Sequence, residues 1–155
     1  MSISKEEITS IANRFRCAIL SAKDNREFDF KDRMQNFPYG CCDDTADLFA
    51  HYLYHEFGIP SLRVDGKYYS DNPEDSCGHS WQIVDGLVID LTGSQFKHNS
   101  VFHNYDKDVY VGEEDDFYRM FEIRRCDRFK GIECLGIDSH ARMYKLYEII
   151  MKYFK

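Results

Sequence analysis

The chain lacks the features that would tie it to a membrane, a nucleic acid or an export route. No apolar run is long enough to span a bilayer. The 20 lysines and arginines are scattered among 27 acidic residues, and no basic run could follow a phosphate backbone. Residues 1–7 carry neither a basic n-region nor an apolar h-region. We therefore expect no membrane or nucleic-acid partner and a cytoplasmic location. A secreted effector, or a piece of a longer secreted polypeptide, would be the exception.

Internal repeats, low-complexity tracts and linkers are also missing, which predicts one domain over residues 1–155. A composition that is 43% hydrophobic supports a substantial core. In a reducing compartment cysteines stay as free thiols, so we expect no disulfide framework. The six cysteines are Cys17, Cys41, Cys42, Cys77, Cys126 and Cys134.

Two helices are predicted in the first part of the chain. Ser4 and Glu7 have the spacing of a capping box, and apolar residues at helical spacing extend that helix over residues 5 to 22. A continuous apolar stripe predicts a second helix over residues 42 to 57. Gly58 is typical of the residue that ends such a helix.

The middle of the chain predicts strands, and the end predicts a further helix. Asp65-Gly66 signals a turn, and Asp85-Gly86 signals a hairpin between residues 79 to 84 and 87 to 92. Residues 115 to 125 fit either a helix or a strand. Helices followed by strands and a last helix indicate an α+β fold.

Cys42 is the candidate nucleophile because it begins the second helix, directly after an irregular stretch. A thiol attacks only as the thiolate, and a helix N-terminus and a nearby imidazolium both favour that form. The charges of Asp43 and Asp44 oppose it, so the helix alone is insufficient. His79 could supply the imidazolium and protonate the leaving group, with Asp90 orienting its ring.

The predicted hairpin tests whether His79 and Asp90 can meet. A two-residue turn at Asp85-Gly86 makes Val84 face Leu87. His79 and Asp90 are then diagonal neighbours on one face of the sheet, where their side chains can touch. A slip by one residue would place them on opposite faces.

Three short motifs carry a family resemblance. Gly40-Cys41-Cys42, His79-Ser80-Trp81 and Asp90-Leu91-Thr92 resemble the core motifs of transglutaminase-like proteins, which belong to the papain-like cysteine hydrolases and transferases. The resemblance covers residues 37 to 96, and no calcium-loop pattern accompanies it. It implies a nucleophile at the N-terminus of a central helix, packed on an antiparallel sheet that carries the His and the Asp.

The same resemblance implies roles and a reaction. Cys42 would be the nucleophile, His79 the base and Asp90 the orienting acid. Gln35 is the nearest match to the glutamine that the papain branch uses in its oxyanion hole, and the Cys42 amide would be the other donor. The reaction would convert a peptide or carboxamide bond into a thioester acyl-enzyme, as in a peptidase, deamidase or acyl transferase. It would take a protein or peptide substrate and need no cofactor.

Other interpretations of these residues stay open. Trp81 fits either the core or the wall of a substrate cleft, and Gln95 either touches substrate or fills a loop. Cys41 competes with Cys42 as the nucleophile. The chain could instead be a non-catalytic binding or immunity module, or a zinc-stabilised interaction domain. The zinc ligands would then be Cys41, Cys42, Cys77 and His79, although their spacing is unusual for zinc. His51 and His55, spaced i and i+4, could bind a metal, but with no third ligand in view the sequence favours an exposed helix face.

Overall fold

Four helices and a five-stranded antiparallel sheet form the α+β fold of residues 3–155, the part of the chain that the computed structural model describes. The first two residues of the predicted domain lie outside that part. The helices are α1 (Lys5–Asp24), α2 (Cys42–Phe57), α3 (Asp116–Arg119) and α4 (Ile137–Tyr153). The strands are β1 (Ser61–Tyr68), β2 (Cys77–Val84), β3 (Leu87–Asp90), β4 (Tyr110–Gly112) and β5 (Glu122–Phe129). Within residues 3–155, no helix has both the length and the apolarity needed to cross a bilayer.

The two predicted N-terminal helices are confirmed, together with the local signals that begin and end them. The Glu7 amide donates to Ser4 Oγ at 3.1 Å, and the Ser4 amide donates to Glu7 Oε1 at 3.4 Å. At the end of α2, Gly58 adopts a left-handed conformation with φ 67°. The Gly58 amide donates to the Tyr54 carbonyl at 2.8 Å, so this carbonyl in the last turn has a hydrogen-bond partner.

The β2–β3 hairpin has the predicted register. Val84 pairs with Leu87 and Gln82 pairs with Ile89 across it. Both turn residues, Asp85 and Gly86, have positive φ, as the favoured two-residue hairpin turn requires. The strand order of the whole sheet is β4-β3-β2-β1-β5.

The prediction of a turn at Asp65-Gly66 is wrong, because β1 runs straight through these residues. Gly66 pairs with His79 of β2, and the register against β5 shifts between Asp65 and Gly66. A β-carbon at Gly66 would lie 2.7 Å from Phe121 Cβ and 3.0 Å from the Trp81 ring. The glycine is therefore required by close packing against its backbone and not by a turn.

The sheet separates two hydrophobic clusters, and side-chain alternation assigns each strand residue to one of them. Ile89 packs with the helices α1, α2 and α4, whereas its neighbour Val88 packs on the other face. There an aromatic cluster covers the sheet. Its members are Trp81, Phe96, Phe102, Phe117, Tyr118 and Phe121.

Charged side chains join the start of α2 to α4. Asp44 is 5% exposed and accepts hydrogen bonds from Arg33 at 3.0 Å and from Arg142 at 2.8 Å. Arg142 also donates to Asp32 at 2.8 Å. Although burial alone would raise the pKa of Asp44, its bonds with Arg142 and Arg33 lower it. The network fixes the segment on which Cys42 lies.

We expect Arg142→Ala to lower the free energy of unfolding by about 2 kcal/mol, because it leaves the buried Asp44 carboxylate with one cation in place of two. Denaturant titration measures this. Arg119→Ala is the matched control, since Arg119 pairs with the exposed Asp116 on the surface of α3 and should change stability little. Equal losses in the two variants would contradict the assigned role of the network.

Candidate active site

The two neighbouring cysteines at the start of α2 have different environments. Cys41 is the cap residue and is fully buried in the helix-side core, and burial raises the pKa of its thiol to about 12. Its Sγ accepts a hydrogen bond from Thr45 Oγ1 at 3.8 Å. Cys42 is partly exposed and lines an open cleft of about 450 Å³. Of the two thiols, only that of Cys42 faces this cleft.

His79 and Asp90 meet as the hairpin register predicts. His79 Nε2 lies 2.7 Å from Asp90 Oδ2, and the residues are 1% and 3% exposed. The imidazole also packs edge-on against Phe96, with ring centroids 5.1 Å apart. The aromatic cluster thus excludes water from the pair on one side. The other side of the ring faces the cleft that Cys42 lines.

Further hydrogen bonds hold the Asp90 carboxylate. Thr92 donates to Oδ1 through both its amide, at 2.9 Å, and its hydroxyl, at 3.2 Å. The Tyr118 hydroxyl donates to Oδ2 at 2.8 Å. A buried carboxylate needs such partners to stay ionised. Tyr118 reaches Asp90 from the four-residue helix α3, and no local pattern in the sequence signals this contact.

The electrostatics of the pair favour its charged form. Burial by itself would lower the pKa of His79, but the charge and hydrogen bond of Asp90 raise it well above the usual range. A hydrogen bond and the charge of Cys42 raise it further. Burial would raise the pKa of Asp90, yet the charge of His79 and the bonds from Thr92 and Tyr118 lower it. Cys42 and His79 both line the cleft and are candidates for proton exchange.

Gln95 brings an amide into the cleft beside the histidine. Its Nε2 lies 3.3 Å from His79 Nδ1 and donates to the Thr92 carbonyl at 3.1 Å. One ring nitrogen of His79 is therefore bonded to Asp90, and the other lies beside Gln95 at the cleft. The start of α2 offers a second source of donors. Cys41 makes no side-chain capping bond there, so its side chain occupies none of the backbone N–H groups of the first turn.

Gln35 lies away from the cleft, and of the two interpretations of Trp81 the structure shows the core. The Gln35 amide is turned towards the end of α1, where its Nε2 donates to the Lys23 carbonyl at 3.4 Å. Trp81 is 2% exposed, because its large apolar ring packs under Gly66 and within the aromatic cluster. Neither residue lines the cleft, whereas Gln95 does.

A group of charged side chains that the sequence analysis did not identify lies at the floor of the cleft. Arg63 bridges Asp47 at 2.5 Å and Asp65 at 2.9 Å, and the Ser80 hydroxyl donates to Asp65 at 2.5 Å. Burial raises the pKa of Asp47 to about 6, although Arg63 opposes the change. Two carboxylates thus surround one guanidinium, and Asp43 adds another acid at the rim.

The proposed zinc set does not assemble within residues 3–155. No three ligand atoms from Cys41, Cys42, Cys77 and His79 lie within 4.8 Å of one another. The physical reason is that Cys41 points into the core, away from the cleft. These four residues therefore do not form the ligand sphere of a metal ion.

Comparisons with known proteins inform the fold alone. No protein-family model matches the sequence, and no curated protein matches it. A crystal structure from a structural-genomics programme is similar, with a TM-score of 0.50 and 10% identity. The similarity covers 95% of this chain and 80% of that one. At this level of identity it supports a shared architecture and carries no information about activity.

We expect the His79–Asp90 pair to make stability depend on pH with a definite sign. The folded pKa of His79 is raised, so its contribution is complete below about pH 6.5 and is lost as pH rises towards that folded value. The folded pKa of Asp90 is lowered, so its contribution is present above about pH 4 and is lost as pH falls through the folded value.

The free energy of unfolding should therefore differ most between the wild type and Asp90→Asn from about pH 4 to 6.5, with the gap narrowing above and below. Denaturant titrations across pH measure the difference. Asp65→Asn is a suitable control, because Asp65 lies at the same cleft without bonding His79. A gap that does not change with pH would contradict the charged pair.

We expect Tyr118→Phe to destabilise the protein by about 2 kcal/mol, because it removes a hydrogen bond to a buried carboxylate. Tyr153→Phe removes a hydroxyl of the same kind, which donates to the less buried Glu27 at 2.6 Å, and should cost less. Thermal and denaturant unfolding compare the two. If Tyr153→Phe were the more damaging change, the importance assigned to Tyr118 would be refuted.

Proposed function

We propose that the protein is a cysteine enzyme of the transglutaminase-like and papain-like kind, acting on a peptide or carboxamide carbonyl through Cys42. One observation supports this most strongly. A partly exposed thiol at a helix start lies beside a histidine whose far nitrogen is bonded to a buried, fully hydrogen-bonded carboxylate. This is the arrangement that nucleophilic catalysis by cysteine requires.

The proposed reaction has two steps, and both use His79. The Cys42 thiolate, paired with the His79 imidazolium, attacks the carbonyl carbon to form a tetrahedral intermediate. The C–N bond then breaks, and the departing amine or ammonia takes the proton from the His79 imidazolium. What remains on Cys42 is a thioester. Water then attacks this thioester with His79 as its base, which releases the acid and restores the Cys42 thiolate beside the His79 imidazolium.

Asp90 acts through the histidine. A carboxylate bonded to Nε2 keeps the ring oriented with Nδ1 towards the cleft, and it stabilises the imidazolium that forms during proton transfer. Because Asp90 is held by Thr92 and Tyr118 as well, the ring has little freedom to rotate. We assign Thr92 and Tyr118 as positioning residues for this reason.

The developing oxyanion requires donors, and two sources lie at the cleft. The first is the backbone amide of Cys42 at the start of α2, where the helix dipole also favours negative charge. The second is the side-chain amide of Gln95, which replaces Gln35 as the candidate. Its contact with His79 Nδ1 places an N–H group close to the atoms that would react.

The chemistry of the cleft favours some substrates over others. Asp43 and Asp65 line it, while the single guanidinium of Arg63 is already bonded to two carboxylates. We therefore propose substrates that are neutral or cationic next to the reacting carbonyl, such as a peptide or a glutamine side chain. We propose hydrolysis over transfer, with water reaching the thioester through the open cleft.

Alkylation at pH 6 tests the nucleophile. We expect iodoacetamide to modify Cys42 at least tenfold faster than the exposed Cys17 and Cys126, because His79 supplies a positive charge beside it. Peptide mass spectrometry reports each cysteine separately in the same folded sample. The comparison is therefore internal and does not depend on whether a variant folds.

Two variants make the assignment specific. Cys42→Ala should remove the fast-reacting site, whereas Cys77→Ala should leave the rate at Cys42 unchanged. Cys77 is a suitable control because it is also a partly buried thiol. Burial raises the pKa of Cys77, and the charge of Cys42 raises it as well. If Cys42 reacted no faster than Cys17, the proposal of a cysteine nucleophile would fail.

A further inference from the structure

A second group of chemically reactive side chains lies at the other end of α2. His51 and His55 are one turn apart on this helix, with ring centroids 4.1 Å apart. Glu133, in the short 3-10 turn between β5 and α4, approaches both of them. Within residues 3–155, this group brings three possible ligand atoms within 4.8 Å of one another. The third ligand that the i, i+4 histidine pair needs is therefore present.

We propose that His51, His55 and Glu133 form a binding site for a divalent transition-metal ion, with zinc as the preferred occupant. Two imidazole nitrogens and a carboxylate oxygen are a recognised zinc set, which leaves the fourth tetrahedral position for water. Imidazole ligands also select transition metals over calcium and magnesium, which prefer oxygen. This proposal does not depend on the function proposed for Cys42.

The separations between the ligand atoms fit tetrahedral coordination. Zinc bonds of about 2.0 to 2.1 Å at tetrahedral angles place neighbouring ligand atoms about 3.3 Å apart. Glu133 Oε2 lies 3.3 Å from His55 Nε2 and 3.6 Å from His51 Nδ1, and the two nitrogens lie within 4.8 Å of each other. An ion could therefore be bound with small side-chain movements.

A glycine leaves space between the three ligands. A β-carbon at Gly131 would lie 2.7 Å from His51 Nδ1 and 2.9 Å from Glu133 Oε2. The same atom would lie 3.2 Å from His55 Nε2. The three ligand atoms thus converge on a region beside Gly131 that any larger residue would fill.

The protonation of the site suits a cation. His51 Nδ1 accepts a hydrogen bond and therefore carries a lone pair and no proton. The Ile132 amide donates to His51 Nδ1 at 2.9 Å, and a metal ion bound through Nδ1 would replace this one hydrogen bond. Glu133 is 53% exposed at its side chain, which gives an ion access from solvent.

Titration with zinc chloride tests the site. The protein is kept in a non-thiol reductant, and binding is followed by calorimetry and by thermal unfolding. We expect one zinc ion per chain, a rise in Tm, and a shift of the His55 ring nitrogens in NMR spectra. His55→Ala and Glu133→Gln should each weaken binding at least tenfold. Both residues are partly exposed, so these variants should fold.

Two controls separate this site from other zinc-binding groups. His98→Ala removes an exposed histidine elsewhere and should leave the affinity unchanged. Cys42→Ala should also leave it unchanged, because Cys42 and His51 are nine residues apart along α2, or about 14 Å. The proposal is overturned if His55→Ala and Glu133→Gln bind zinc as the wild type does, or if Cys42→Ala removes the binding.

Discussion

The buried ion pair between His79 and Asp90 is the constraint on which the rest of the structure depends. Removing two charges from water is costly unless their remaining hydrogen-bonding positions are filled. Here Thr92 and Tyr118 fill those of the carboxylate, and aromatic rings surround the imidazole. The hairpin turn brings His79 and Asp90 together, and α3 positions Tyr118 to bind the carboxylate. Gly66 leaves room for the ring of Trp81, which packs beside the histidine. A shifted hairpin register or a displaced α3 would take a hydrogen-bond partner from Asp90.

The second constraint is the position of α2, because the proposed nucleophile Cys42 begins this helix and lines the cleft. Cys41, the residue before it, is buried in the helix-side core, while Asp44 in the first turn binds Arg33 and Arg142. These contacts hold the start of the helix from two sides. The negative charge of Asp44 is balanced by these arginines, which weakens the objection that acidic residues in the first turn disfavour a thiolate. The far end of the same helix carries the proposed metal ligands.

Local sequence signals predicted much of this fold. The capping box at Ser4, the glycine after α2 and the turn at Asp85-Gly86 each depend on residues that are neighbours in the chain. The hairpin count then predicted that His79 and Asp90 share a face, since alternation along a strand is regular. Residues 115 to 125 fitted two structures because they contain two, all of α3 and the start of β5.

What the sequence could not predict depends on distant packing. Asp65-Gly66 has the composition of a turn, but its glycine is there because Trp81 and Phe121 press against it. Tyr118 and Glu133 reach their sites across the tertiary structure, so no spacing in the chain relates them to Asp90 or His55. Gln35 was chosen by its distance along the chain from Cys42, and its amide is bound at the end of α1 instead.

Direct detection of an acyl group on Cys42 tests the central claim most directly. The protein would be incubated with activated esters of short neutral or cationic peptides and analysed by intact and peptide mass spectrometry. We expect a transient adduct on Cys42 that hydroxylamine removes, as it does a thioester, and that does not form on Cys42→Ala. The account would be contradicted if no adduct formed, or if acylation were spread equally over the exposed cysteines.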